Sequence, residues 1–297
     1  MSKRILITGA SGFTGQHAVR HFLKKGCIVH AVIRRTKLDI VQEALHIHPL
    51  DLSDKEAVHR LLEAAKPDYI LHLAGENSVP ESWETPYKSW QANVGSTLHL
   101  VEAVRALGLP ARLVIAGSVL QDELDRAASP THPYSLTKTM QTTVGLAWHN
   151  LFQIDVMIAK PSNIIGPGVS NGVCTQFAKQ LRQHQETGKT LFRIGNAAVT
   201  RDFIDVRDLV EAYETLFLDG ESGETYEITS GRWVSLGEVL SVFRTVSKFD
   251  FTIHTETEEA MEIKLPMKAE KIRALRWQPN HSLESSLADV WEYTAQL

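Results

Sequence analysis

Two cysteines in 297 residues, Cys27 and Cys174, are too few and too far apart for a disulfide framework or for metal-ligand spacing. Both read as core thiols. No run approaches the roughly 18 apolar residues of a membrane span. The chain opens on a buried strand with no apolar leader before it, so the expectation is a cytoplasmic location and no membrane partner. An excess of one charge is also missing. The 31 Lys and Arg against 35 Asp and Glu are interspersed and leave a net charge of -4, which argues against nucleic acid as the main partner. There are 13 histidines, but His46 and His48 alternate along a strand with no companion ligands, so no metal site is expected. Internal repeats and low-complexity tracts are absent as well.

What is present begins at "RILITGASGFTGQHAVRHFLKKG". Ile5 to Thr8 is a short, largely β-branched run, and Ala18, Val19, Phe22 and Leu23 recur at helical spacing, so the segment reads strand, tight turn, helix. Gly9, Gly12 and Gly15 fall in the turn. Glycine tolerates positive φ and lets backbone approach a ligand, while a helix N-terminus offers free N–H groups to an anion. Gly9, Ser11, Gly12, Phe13, Thr14 and Gly15 are therefore the candidate pyrophosphate cradle; an ordinary turn is the bland alternative.

Ile28 to Ile33 supplies a second strand and Leu50-Asp51 closes a third, the spacing of a βαβ dinucleotide-binding half. An acid at the end of the second strand would bind the ribose hydroxyl of NAD. Here Arg34 and Arg35 stand there, and guanidinium suits the 2′-phosphate of NADP, unless both are merely solvated. Asp51 and Leu52 are candidates for the adenine side of the cofactor, with a helix cap as the competing reading of Asp51. "PDYILHLAGENSV" holds a strand running into Leu73, Ala74 and Gly75, where small residues let a cofactor pass close.

"ARLVIAGSV" is another buried strand, leading to Ser118, and "HPYSLTKTMQTTVGLAWHN" starts a helix near Tyr134 with Lys138 one turn later on the same face. A tyrosine phenol ionises near pH 10, and a neighbouring ammonium is expected to bring it toward the working range. A hydroxyl at Ser118 could hold the same substrate oxygen. A surface tyrosine beside a surface lysine is the bland alternative. Alternating strands and helices argue for an α/β fold, a Rossmann-type doubly wound parallel sheet with a smaller C-terminal substrate-binding domain. The expected division is residues 1–160 plus about 199–222 for the NADP-binding domain, and about 161–198 with 223–297 for the substrate-binding domain. Trp83, Trp90 and Trp148 read as core or interface anchors. "TRDFIDVRD" reads as an ion-pair network as readily as a substrate clamp.

The GxxGxxG spacing, "HLAG", YxxxK, "PSNIIGPG", "RDFIDVRD" and "LRWQP" together resemble the extended short-chain dehydrogenase/reductase (NAD-dependent epimerase/dehydratase) family over essentially the whole chain. Within it, "NIIGPGVSNGVCTQFAKQL" and "RIGNAAVTRDFIDVRD" are most similar to the branch that reduces GDP-linked 4-keto-6-deoxy-mannose. The resemblance implies Ser118, Tyr134 and Lys138 as the catalytic trio, with Pro161 and Asn93 beside the cofactor. It further implies Asn77, Ser78, Asn163, Lys179 and Arg201 on the nucleotide sugar, and a homodimer through the helix that bears Tyr134 and its neighbour. "STLHLVEAVRAL" and "TTVGLAWHNLF" have apolar stripes wide enough for such a contact.

Departures from the family narrow the choice. "SVLQDE" puts Val119 and Leu120 where 4,6-dehydratases carry an acid pair, so dehydration is not expected. Lys160 and Lys264 stand where the family often has arginine, and an ammonium lacks the bidentate fork that grips phosphate. Three readings follow. The first is an NADPH-dependent reductase of a nucleotide-linked 4-keto-6-deoxy sugar. The second is a 4-epimerase with tightly bound NAD, disfavoured by Arg34 and Arg35. The third is a non-catalytic dinucleotide-binding protein, disfavoured by the complete trio.

Overall fold

The computed structural model describes residues 2–123, 129–257 and 269–297. Lys264 lies outside the described residues.

Strands β1 (Arg4–Thr8), β2 (Ile28–Ile33), β3 (Leu45–Pro49), β4 (Tyr69–His72), β5 (Arg112–Ala116) and β6 (Val156–Pro161) form a seven-stranded sheet with β10 (Thr225–Ile228), in the order β10-β6-β5-β4-β1-β2-β3. Every pairing from β3 through β6 is parallel. Parallel neighbours need crossovers, and helices α1 (Phe13–Lys24), α2 (Lys55–Ala65), α5 (Ser96–Ala106) and α6 (Pro133–Phe152) lie in them, while β2 reaches β3 through residues 34–44 without a helix. Between α2 and α5 come β4 and the short helices α3 (Val79–Glu84) and α4 (Pro86–Trp90), followed by a π-helical turn at Gln91–Gly95.

Because side chains alternate across a strand, β1 splits its apolar residues between two faces. Leu6 joins Val58, Leu61, Leu62, Leu100, Val104, Leu113 and Ile158 in a core under α2, α5 and α6. On the other face α1 packs beside α8 (Val206–Asp219), with Phe22 edge-on to Phe217 and His21 bonded to Glu214 at 2.7 Å. The strand order reverses at β1, whose neighbours β2 and β4 were each reached by a separate crossover. Such a switch point opens a crevice at the carboxyl ends of the strands.

By its internal contacts the chain divides into residues 1–160 with 210–226, and residues 161–209 with 227–297. The second unit holds β7 (Asn163–Ile165), α7 (Val173–Thr187), β8 (Leu191–Ile194), β9 (Thr200–Asp205), β11 (Trp233–Ser235), α9 (Leu236–Ser247), β12 (Thr252–Thr255), α10 (Glu270–Ala274) and α11 (Leu283–Thr294). Phe177, Leu181, Phe192, Phe243, Phe251 and Val290 form its core, and the Arg182 guanidinium lies 4.0 Å over the Trp291 ring. Residues 199–209, expected with the first unit, group with the second because β9 pairs with β7 and β11 in a separate small sheet. No helix among the described residues is long and apolar enough to cross a membrane.

The acids of "RDFIDVRD" are structural. Asp202 accepts hydrogen bonds from the backbone of Ser230, Gly231 and Arg232 and so shapes that turn. Asp208 accepts from the backbone N–H and ring of His281. Asp205, whose side chain is wholly buried, takes two bonds from the Arg207 guanidinium, at 2.8 and 2.7 Å, one from the Arg207 backbone N–H at 2.8 Å, and one from Ser286 at 2.6 Å. Burial pushes the Asp205 carboxyl up, but the bonds from Arg207 and Ser286 outweigh it and hold it below its ordinary value. Since its folded pKa lies below the unfolded one, its contribution is complete above about pH 4 and is lost as pH falls through the folded value. Asp205→Ala should therefore lower unfolding free energy by about 3 kcal/mol, the lower end for a broken buried pair, since Arg207 keeps Asp289 as a partner. Denaturant melts at neutral pH measure this, and an unchanged midpoint would show that the pair carries no weight.

Candidate active site

The three glycines after β1 have three different reasons. Gly9 sits at φ +66°, and a Cβ there would stand 2.9 Å from the Ala74 nitrogen, so it serves both the left-handed turn and a close approach to the end of β4. At Gly15 a Cβ would lie 2.1 Å from the Gly9 carbonyl oxygen, so only glycine lets α1 press onto the turn. Gly12 is different. Its φ of -74° suits any residue, and a Cβ would meet only the Gly9 oxygen at 3.2 Å. It is exposed and is the N-cap of α1, with no side-chain cap bond and no acid in the first turn. The free amides beyond it, at Phe13 and Thr14, are left for an anion, and the pyrophosphate of a nicotinamide dinucleotide fits that charge and that open backbone. Ser11 lies within the turn, its carbonyl accepting from Gln16.

At the neighbouring strand ends, Arg34 and Arg35 are exposed. The Asp51 carboxyl is held below its usual range, first by the Ser53 backbone N–H and also by the charges of Arg34 and Arg35, so the three side chains share one field. The cap of α2 is not Asp51 but Asp54, which accepts from the Ala57 nitrogen at 2.9 Å; a residue three positions later has the N-cap geometry. Leu52 is a buried core residue. Leu73, Ala74 and Gly75 follow β4, and a Cβ on Gly75 would collide with the Asn93 side chain at 2.4 Å.

A buried hydrogen-bond relay connects these strand ends to α6. Thr8 Oγ1 accepts from the backbone nitrogens of Leu73 and Ala74, both at 3.1 Å, so its own proton goes to His72 Nδ1 at 2.8 Å. His72 Nε2 then donates to Thr97 Oγ1 at 2.8 Å, and Thr97 donates to the Asn93 carbonyl at 2.7 Å. This donor order requires one neutral tautomer. Burial, with the charge of Lys138 adding to it, holds the His72 pKa down at about 3. The Asn93 amide donates in turn to Thr137 Oγ1 at 2.9 Å, and Thr137 bonds the Tyr134 carbonyl. Asn93 thus lies inside the protein as a brace, fully buried in the π-helical turn.

Helix α6 starts where "HPYS" caps itself. The His132 ring accepts from the Ser135 nitrogen, and the Ser135 hydroxyl donates to Asp122. Tyr134, Lys138 and Ser118 are all buried. The expected effect of Lys138 on the phenol is not what the structure has. Burial raises the Tyr134 pKa, a hydrogen bond with Ser118 partly offsets this, and Glu76 raises it further. Lys138 is instead tied to the Ala116 carbonyl at 2.7 Å and to Gln141 Oε1 at 2.6 Å, and burial pushes its own pKa down to about 7. Ser118 Oγ accepts from the Leu120 nitrogen, while the Gln121 amide is spent on the Ser118 nitrogen and on Thr142.

The remaining candidates are scattered. Asn77 is exposed, and Ser78 is the N-cap of α3, its hydroxyl accepting from Glu81. Pro161 ends β6. In the second unit Asn163 donates to the Asp202 carbonyl and lines a small cavity of about 100 Å³ with Cys174 and Phe203. Lys179 is exposed on α7, and Arg201 is exposed on β9 with no ion-pair partner among the described residues. Trp83 is 63% exposed and so is no core anchor, while Trp148 packs against the first core and donates to Glu102. His30, expected only as a strand residue, stacks with His46 and His48. Among the described residues no group of three or more His, Cys, Asp or Glu could hold a metal ion. Reading along the chain missed Gln121 and Gln141, which belong to no motif, and His72, whose only signal was its place in "HLAG".

The model of the NAD-dependent epimerase/dehydratase family matches residues 5–229. A GDP-6-deoxy-D-mannose reductase of Pseudomonas aeruginosa is 29% identical over 265 residues, which covers 85% of this chain and 83% of that protein. The solved structure of RMD from Pseudomonas aeruginosa complexed with NADPH is similar at a TM-score of 0.82, with 24% identity and all of both chains covered. Thermus thermophilus UDP-glucose 4-epimerase in complex with NAD is similar at 0.83, with 21% identity over 98% of this chain and 99% of that one. At these identities the structural likeness speaks for the fold.

The glycine geometry separates two substitutions. Gly15→Ala should lower the melting temperature, because its Cβ has no room. Gly12→Val should fold nearly as the parent does and lose dinucleotide binding. Unchanged NADPH titration in folded Gly12→Val would leave the glycines with a turn to make and nothing to bind.

Proposed function

Because the chain belongs to the NAD-dependent epimerase/dehydratase family, we propose that it is an NADPH-dependent reductase of a nucleotide-linked 4-keto-6-deoxy sugar. The observation that carries this reading is a buried Tyr134, with Lys138 one turn on and Ser118 buried as well, in the same unit as an uncapped glycine-lined helix N-terminus. A phenol held above its ordinary value enters a reaction with its proton on. Reduction of a ketone needs that proton; oxidation of a sugar hydroxyl, the opening step of an epimerase, needs it gone. A bound dinucleotide supplies the hydride. Tyr134 gives its proton to the oxygen at the reduced carbon, Ser118 holds that oxygen, and Lys138 keeps a cation beside the site.

Dehydration has less support, since Val119 and Leu120 carry no acid and Asp122 is engaged with Ser135 and the Thr131 nitrogen. Similar structures carry NADPH in one case and NAD in another, so the choice of NADPH rests on Arg34 and Arg35. The reductase from Pseudomonas aeruginosa favours a GDP-linked sugar. Asn77, Ser78, Asn163, Lys179 and Arg201 are proposed as its contacts, and α5 with α6 as a homodimer face, with Leu151 and Phe152 exposed at the end of α6.

A panel of 4-keto-6-deoxy sugars carrying GDP, UDP, dTDP or CDP, followed by loss of NADPH absorbance, tests the reaction. NADPH oxidation with one of them is the expected result. Interconversion of 4-hydroxy sugars with no net NADPH loss would instead mean an epimerase. Tyr134→Phe should lower the rate by about 10²–10⁴-fold with NADPH affinity nearly unchanged. Replacing both Arg34 and Arg35 by alanine should raise KM for NADPH about ten-fold or more and leave that for NADH in place. Retained preference for NADPH in the double variant would remove the arginines from cofactor choice.

A further inference from the structure

We propose that Gln141 is a positioning residue, which aims the Lys138 ammonium by accepting one of its three N–H donors. The inference rests on the reading of Lys138 as part of the reductase site. Gln141 follows Lys138 by three residues on α6, close to one helical turn, and its Oε1 lies 2.6 Å from Lys138 Nζ. The Ala116 carbonyl, at the end of β5, takes a second N–H at 2.7 Å. The ammonium is thereby pinned between a strand end and its own helix, with one N–H left to point elsewhere.

The orientation of the glutamine amide is forced. A lysine ammonium has donors only, so the oxygen must face it and the NH₂ must turn away. Gln141 is fully buried, and its Nε2 finds no partner. Filling space does not account for this arrangement, since a leucine would fill it with no stranded donor. What the glutamine adds is a fixed acceptor for Lys138.

The other groups that face Lys138 do not replace it. His72 on β4 feels its charge and is itself held neutral, and Tyr134 lies one turn earlier on α6. No carboxylate pairs with Lys138 among the described residues. Burial alone drives the lysine toward its neutral form, with a pKa of about 7, and an acceptor for its N–H opposes that.

The test uses the full-length protein with Gln141→Leu and Gln141→Glu. Carbon-13 NMR of labelled lysine, assigned with Lys138→Met, follows the titration of Lys138 without any need for turnover. The expected midpoint moves down by about one unit in Gln141→Leu and up by a similar amount in Gln141→Glu, about ten-fold each way for one bond to a charged group. The alkaline limb of kcat should move with it, in opposite directions for the two variants, with kcat of Gln141→Leu about five-fold down at neutral pH. A lower melting temperature with the Lys138 midpoint unmoved in both variants would overturn the inference and make Gln141 a packing residue. Shifted midpoints in a protein that turns over no keto sugar would uphold the role of Gln141 and remove the proposed reductase function.

Discussion

Thr8 Oγ1 takes the amide protons of Leu73 and Ala74 and passes its own to His72, and the order of every later bond depends on that choice. Buried polar groups are costly unless each is satisfied, so the relay holds together as a unit. Through Thr97, Asn93 and Thr137 it reaches the first turn of α6. Four elements that lie far apart along the chain are joined by it: β1, β4, the segment around α5, and α6. The strand that carries the glycine turn and the helix that carries Tyr134 are thus held in one frame. A charged His72 would present a second donor to Thr8, which already accepts two, and would break the order. Its burial, and the nearby Lys138, keep it neutral.

The glycines depend on the same frame. Gly9 faces the Ala74 backbone and Gly75 the Asn93 side chain, each at a distance too short for a Cβ, so the ends of β1 and β4 and the π-helical turn close on one another at these two glycines. That closeness leaves the N-terminus of α1 open at the switch point of the sheet, where Gly12 has neither a left-handed φ nor a neighbour closer than 3.2 Å to a Cβ. In the same unit Lys138 has no carboxylate partner among the described residues, and its acceptors are a strand carbonyl and a glutamine amide. Two neutral acceptors hold the ammonium without pairing its charge. An ion pair would have neutralised it.

The second unit uses acids in the opposite way. Asp202, Asp205 and Asp208 are buried, and each is surrounded by donors from loops or helices within that unit. Their charge is consumed in holding turns and helix ends. Arg201, in the same stretch of chain, is exposed and has no ion-pair partner among the described residues, which separates one candidate ligand group from three structural neighbours.

Local pattern by itself determined a good deal of this protein. Ile5 to Thr8 and Ile28 to Ile33 read as strands because β-branched runs have nowhere else to go, and the structure has them as β1 and β2. The parallel doubly wound sheet followed from strands alternating with helical periods, and the one-turn spacing of Tyr134 and Lys138 is a property of any helix. Other features were decided only when distant segments met. The N-cap of α2 fell to Asp54 and not to Asp51, since backbone dihedrals choose between two acids that composition cannot rank. Residues 199–209 went with the second unit because β9 found β7 and β11, a pairing no local pattern encodes. The state of Tyr134 does not follow from spacing: a helical turn sets how far Lys138 stands along the axis, but burial and the competing acceptors Ala116 and Gln141 set where its charge is spent. Spacing along a helix is local, whereas desolvation and the direction of a buried hydrogen bond belong to whatever the rest of the chain brings alongside.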